Sequence, residues 1–120
     1  MEMTKRPDGA LERDILAVLW AAEKPLQPRE IKERLEVELA YTSVATVLGR
    51  LHAKGLVSRH EAGRAFVYEA VVDESQLAVR RIGELYSAAS DKRQVLAGFL
   101  GSLSKNDMAA VRALLGEDRP

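Results

Sequence analysis

The stretch Ala40–Lys54, AYTSVATVLGRLHAK, followed at once by Gly55–Ala70, GLVSRHEAGRAFVYEA, decides how this chain folds. In its first half Val44, Val47, Leu48 and Leu51 recur at i, i+3, i+4 and i+7, the spacing that lines one face of a helix. Thr42 stands ahead of them as an N-cap, and Gly55 follows where a left-handed residue commonly ends a helix. The second half changes period. Leu56–His60 and Ala65–Ala70 are rich in β-branched and aromatic residues and flank Glu61-Ala62-Gly63-Arg64. That pattern reads as a hairpin with a loop of roughly three to five residues. A helix followed directly by a hairpin is the order of a winged helix-turn-helix, whose helix enters the DNA major groove while the hairpin, the wing, rests on the backbone or minor groove.

Upstream, Leu11, Ile15, Val18 and Leu19 predict a first helix over about residues 10–22. Pro28 suits the first position of a second helix reaching about Glu38, with Ile31, Leu35 and Leu39 inward. Residues 1–9, with Pro7, Asp8 and Gly9 as breakers, read as a flexible arm. Downstream, Asp73 caps a helix of about 74–89, a shorter helix covers 92–100, and Ser104 opens a last one to about Leu115 with Met108, Val111, Leu114 and Leu115 inward. The fold class is mainly α with a small β-hairpin. A winged-helix DNA-binding domain over 10–72 precedes a three-helix dimerisation domain over 73–120. These last helices are too few to build a sizeable core alone. Two copies could share Leu77, Ile82, Leu85, Leu96, Phe99, Leu100, Met108, Val111, Leu114 and Leu115; the alternative is that they pack back on their own N-terminal domain.

The chain has 120 residues and no net charge, with 18 basic and 18 acidic residues. The distribution is uneven. Residues 39–68 hold Arg50, Lys54, Arg59 and Arg64 against the single acid Glu61, a net of +3 within 30 residues, plus His52 and His60. Residues 23–38 carry five acids against four bases. The local excess fits either a DNA-facing surface or ordinary solvated surface. No cysteine is present, which removes thiolate metal sites, disulfides and a cysteine nucleophile. Two histidines do not make the three or four ligands of a zinc site, and no Gly-rich phosphate loop or nucleophile elbow occurs. No enzyme activity, metal or cofactor is expected. The polar N-terminus is no signal peptide and no run is long enough for a membrane span, so a cytoplasmic protein is expected.

With the apolar face of the third helix turned inward, Tyr41, Thr42, Ser43, Ala45, Thr46, Arg50 and Lys54 become the DNA-binding candidates, joined by Arg64 at the wing tip. Ser and Thr bond phosphates or base edges, Arg50 can bond guanine bidentately, and Ala45 and the Thr46 methyl suit a thymine methyl. Tyr41 either donates to a phosphate or packs under the helix. Gly49 lets the helix approach closely, and Lys5 and Arg6 extend the footprint.

The segments LERDILAVLWAAEKPLQPREI, AYTSVATVLGRLHAKGLVSR and GRAFVYEA resemble the BlaI/MecI/CopY family of bacterial transcriptional repressors, the penicillinase repressors, over about 11–115. Leu19-Trp20, the run from Tyr41 to Leu51, Lys54-Gly55-Leu56-Val57 and the run from Gly63 to Tyr68 carry the resemblance. It implies a homodimer on a palindromic double-stranded DNA operator, with 42–53 as recognition helix and 57–68 as wing. It also implies, for one branch, a membrane sensor protease whose signal leads to cleavage of an Asn-Phe bond. Here Gly98 stands where that asparagine would be, before Phe99. The copper-binding cysteines of another branch are missing. A winged-helix protein–protein adaptor and a small-molecule-responsive regulator are the alternatives.

Overall fold

The computed structural model describes residues 8–116, so Lys5, Arg6 and most of the expected arm lie outside the described residues. Six helices and one hairpin follow in the order α1 (Asp8–Ala21), α2 (Pro28–Arg34), α3 (Tyr41–Ala53), β1 (Val57–Ala62), β2 (Ala65–Ala70), α4 (Glu74–Ala88), α5 (Lys92–Gly101) and α6 (Lys105–Leu115). The chain divides into two units after Leu77.

The core of the first unit is apolar and continuous. Ile15, Leu16 and Leu19 from α1 meet Ile31 from α2 and Val44, Val47, Leu48 and Leu51 from α3. Leu56, Val57 and Tyr68 close it from the hairpin. The expected inward face of α3 is therefore buried in full. In α1 the stripe is rotated: Leu11 and Val18 lie at the rim, and Glu12, Ile15, Leu16 and Leu19 point inward. Helix α1 also starts at Asp8, so Asp8 and Gly9 are helical rather than breakers.

Three boundaries differ from the sequence reading, each for a physical reason. Helix α2 stops at Arg34, because Leu35 turns extended (ψ 141°). Continuing to Glu38 would place Glu36 and Glu38 at the negative end of the helix dipole. Helix α3 is capped by Ala40, not Thr42. Leu39 and Val44, both packed on the core, occupy the N′ and N4 positions of a hydrophobic staple, which fixes the entry of the chain two residues early. The wing loop is two residues, Gly63 and Arg64, with Ala62 and Ala65 paired across it. Gly63 alone takes a positive φ (70°), the signature of a II′ hairpin turn.

The end of α3 matches expectation. Gly55 has φ 76°, its N–H donates to His52 O at 3.0 Å, and the Leu56 N–H donates to Leu51 O at 2.9 Å. That pair of bonds is a Schellman motif, and buried Leu51 and Leu56 supply its apolar contact. The hairpin is tied to the helices by Leu26, which exchanges two backbone hydrogen bonds with Tyr68 (2.9 and 2.8 Å) as a one-residue third strand. At the start of α2 the Gln27 N–H donates to Glu30 at 2.8 Å and holds that carboxyl below the ordinary carboxylate range. Because the folded-state pKa is the lower one, this contribution is complete above the unfolded value and fades as pH falls through the folded one.

Glu12 is the buried charge of this unit, and Lys54 Nζ donates to its Oε2 at 2.8 Å, joining α1 to the C-cap of α3. Removing one partner of a buried pair strands the other. Lys54 is 41% exposed, so Lys54→Ala is expected to cost a discounted ~1–3 kcal/mol in chemical denaturation. An unchanged midpoint would show that the pair contributes nothing.

Helix α4 begins inside the first unit. Asp73 and Gln76 bond each other's backbone N–H (2.7 and 2.8 Å). The Trp20 indole donates to Val72 O at 2.8 Å, and Arg13 pairs with Glu74. Leu77 is buried in this core, which corrects its expected place on a dimer face.

In the second unit Asp91 caps α5 by accepting from Gln94 N at 3.0 Å. Ser104 caps α6 by accepting from Asp107 N at 3.0 Å, and Gly116 ends it with φ 82°. Its apolar side chains find little cover within the single chain. Ile82, Leu85, Leu96, Phe99, Leu100, Leu114 and Leu115 are exposed, and Met108 and Val111 half-buried. Leu114 and Leu115 thus point outward within the single chain, not inward as the spacing suggested.

Candidate nucleic-acid interface

Helix α3 presents its free side to solvent because its other side is locked in the core. Stepping 100° per residue, Thr42, Thr46, Gly49 and Ala53 lie opposite the buried Val44, Val47, Leu48 and Leu51. Ser43 and Arg50 flank that line on one side; Tyr41, Ala45 and His52 flank it on the other. All are exposed except half-buried Ser43. A shallow depression beside α1 is lined by Leu11, Thr42, Ser43, Thr46, Val47 and Arg50.

The outward line carries short side chains, so the helix body can come near whatever it meets. No side chain caps the N-terminus of α3. With Ala40 in the cap position, the Thr42 hydroxyl lies in the exposed first turn beside the first amide groups, where the helix dipole favours phosphate. Tyr41 is half-exposed at the first helical position, which leaves its hydroxyl accessible.

The wing adds cations. Arg64 sits in the turn, exposed, and Arg59 lies over the Phe66 ring at 4.5 Å from its centroid. Lys54, a DNA-binding candidate by sequence, is engaged with Glu12. Sequence reading missed three features. Glu12 occupies the first position of an i, i+3, i+4, i+7 set with Ile15, Leu16 and Leu19, but a glutamate there does not look inward. Arg59 and Phe66 share a face only when the turn holds an even number of residues, and a loop of three to five leaves that open. Leu26 pairs through a single residue, too short for any periodic signal.

Among the described residues no group of three or more His, Cys, Asp or Glu side chains could hold a metal ion, and no helix is long and apolar enough to cross a membrane. The Gly98–Phe99 bond lies inside α5, with the Gly98 and Phe99 carbonyls accepting from Ser102 N (3.2 and 3.1 Å). Proteases favour exposed loop tips over such hydrogen-bonded backbone.

A family model described as Penicillinase repressor matches residues 9–117. The transcriptional regulator BlaI of Mycobacterium tuberculosis (strain CDC 1551 / Oshkosh) is 32% identical over 114 residues, covering 91% of this chain and 83% of that protein. Among solved structures, the complex structure of hsRosR-S4 is 25% identical with a TM-score of 0.51, covering 85% of this chain and 90% of that one. The PcaV transcriptional regulator from Streptomyces coelicolor, in complex with its natural ligand, is 26% identical with a TM-score of 0.49, covering 90% of this chain and 72% of that one.

Proposed function

The chain belongs to the penicillinase repressor family, a family of transcriptional regulators and not of enzymes, and on that premise we propose that it binds a palindromic double-stranded DNA operator as a homodimer in the cytoplasm and represses transcription there. The observation that carries this reading is the division of α3 into a fully buried apolar face and an exposed face of hydroxyl, methyl and guanidinium groups. In this reading Tyr41, Thr42 and Ser43 hold phosphate at the helix N-terminus. Ala45 and Thr46 meet base edges, and Arg50 reads guanine. Arg64 holds the backbone or minor groove from the wing, while Lys54 serves the fold through Glu12.

The homodimer uses the exposed apolar side chains of the second unit: Ile82, Leu85, Leu96, Phe99, Leu100, Leu114 and Leu115, with Met108 and Val111 beside them. Leu77, already buried, takes no part. A sensor protease acting before Phe99 would first have to unwind α5, so release by another signal is the simpler expectation.

Arg50→Ala tests the reading directly. It is expected to weaken operator binding by ~1–3 kcal/mol while leaving non-specific DNA nearly unaffected, measured by fluorescence anisotropy on both. Equal loss on every sequence would assign Arg50 to phosphate instead, and no loss on any would remove it from the interface.

A further inference from the structure

The two-residue turn sets which wing residues share a face. Arg59 pairs with Tyr68 and Glu61 with Phe66, so Val57, Arg59, Glu61, Phe66 and Tyr68 lie on one side of the hairpin. The base of that side is core, since Val57 and Tyr68 are buried against the helices. Its outer half is exposed, and there the Arg59 guanidinium lies over the Phe66 ring, its Cζ 4.5 Å from the centroid. Among the described residues no hydrogen bond or ion pair of Arg59 is found, although Glu61 is two residues away on the same face.

We infer that Arg59 is a phosphate-backbone contact of the wing and that Phe66 is its positioning residue. A guanidinium drawn over an aromatic ring by cation–π attraction still offers a fork of N–H donors, which can bond two phosphate oxygens side by side. The ring restricts a long, otherwise mobile side chain before the partner arrives, so less freedom is lost on binding. It also accounts for a large aromatic left partly exposed on the hairpin. Arg64 in the turn and Arg59 on the face then give the wing two cations at different heights. The contact is made to phosphate and so is blind to sequence. This rests on the DNA-binding reading above, whose own failure is seen separately in the parent protein.

The test is a double-mutant cycle on full-length protein, with binding to operator and to unrelated duplex read across a salt series. Arg59→Ala is expected to lower affinity about 5–10-fold on both DNAs and to flatten the salt slope by about 1.8, one phosphate contact from each protomer of the dimer. Phe66→Leu, which changes no charge, is expected to lower affinity about 2–5-fold with the slope kept. The double variant is expected to bind no more weakly than Arg59→Ala, because the ring acts only through the arginine. Phe66→Tyr keeps the ring and is expected to bind like the parent, which also controls for a folding defect in the leucine variant. Arg59→Ala within two-fold of the parent, or losses that multiply in the double variant, would overturn the assignment while leaving operator binding intact. A folded parent that binds neither DNA at low salt would overturn the underlying reading.

Discussion

Replacing Leu85 and Leu114 together by aspartate is expected to give a folded monomer that binds its operator at least about a thousand-fold more weakly. Both leucines are largely exposed in the protomer, 76% and 86%, so neither substitution opens a cavity or strips a core contact. In the proposed homodimer their cost falls on self-association. A two-fold axis repeats every change, so two substitutions remove four buried leucines from the interface. Each is worth about 1.5–3 kcal/mol on full burial. The aspartates add the expense of desolvating charge. Even partial burial puts the loss beyond ~4 kcal/mol, about a thousand-fold. DNA binding follows, because a monomer holds one half-site without the effective concentration its partner supplies for the other. Light scattering reads the mass, circular dichroism the helix content, and anisotropy the affinity. A double variant that stays dimeric would show that these side chains do not form the interface.

The second large effect is expected at Gly49, where stability and binding should move in opposite directions. A glycine in a helix interior costs up to ~1 kcal/mol against alanine. A Cβ added at Gly49 meets no atom within 4 Å, so nothing in the fold requires its absence. Gly49→Ala is therefore expected to raise the melting temperature by a few degrees, since ~1 kcal/mol moves a domain of this size by ~4–8 °C. It is also expected to lower operator affinity about ten-fold, because in the proposed complex Gly49, on the outward line of α3, is where the groove floor comes nearest. Gly49→Glu adds length and a negative charge against phosphate, and should lower affinity by at least about a thousand-fold with the fold retained. A Gly49→Ala protein that is more stable and binds equally well would show that α3 does not approach DNA along this line.

Much of this architecture was legible in the sequence because single elements announce themselves. The face of α3 needed only four apolar residues at helical spacing, and Gly55 marked its end. What escaped depended on partners distant in sequence. Thr42 is a better isolated cap than Ala40, yet the packing of Leu39 and Val44 decides the start of α3. Lys54 counted as a DNA-binding candidate because the burial of Glu12, 42 residues away, has no local signature. In α4 Leu77 and Ile82 are both apolar but stand about 140° apart around the helix, and the first enters the core while the second stays exposed. Periodicity tells that a face is apolar and not what it meets. The wing was seen, but a loop of three to five residues left its register open, and register decides whether Arg59 and Phe66 share a face.

The account is tested most directly by selecting bound fragments from random duplex DNA with the full-length protein and determining the stoichiometry and salt dependence on the selected site. The expected result is an inverted repeat with half-sites about one helical turn apart, ~34–36 Å, bound by two protomers with an affinity that falls steeply as salt rises. A folded protein that enriches no sequence and binds no duplex at low salt would contradict it.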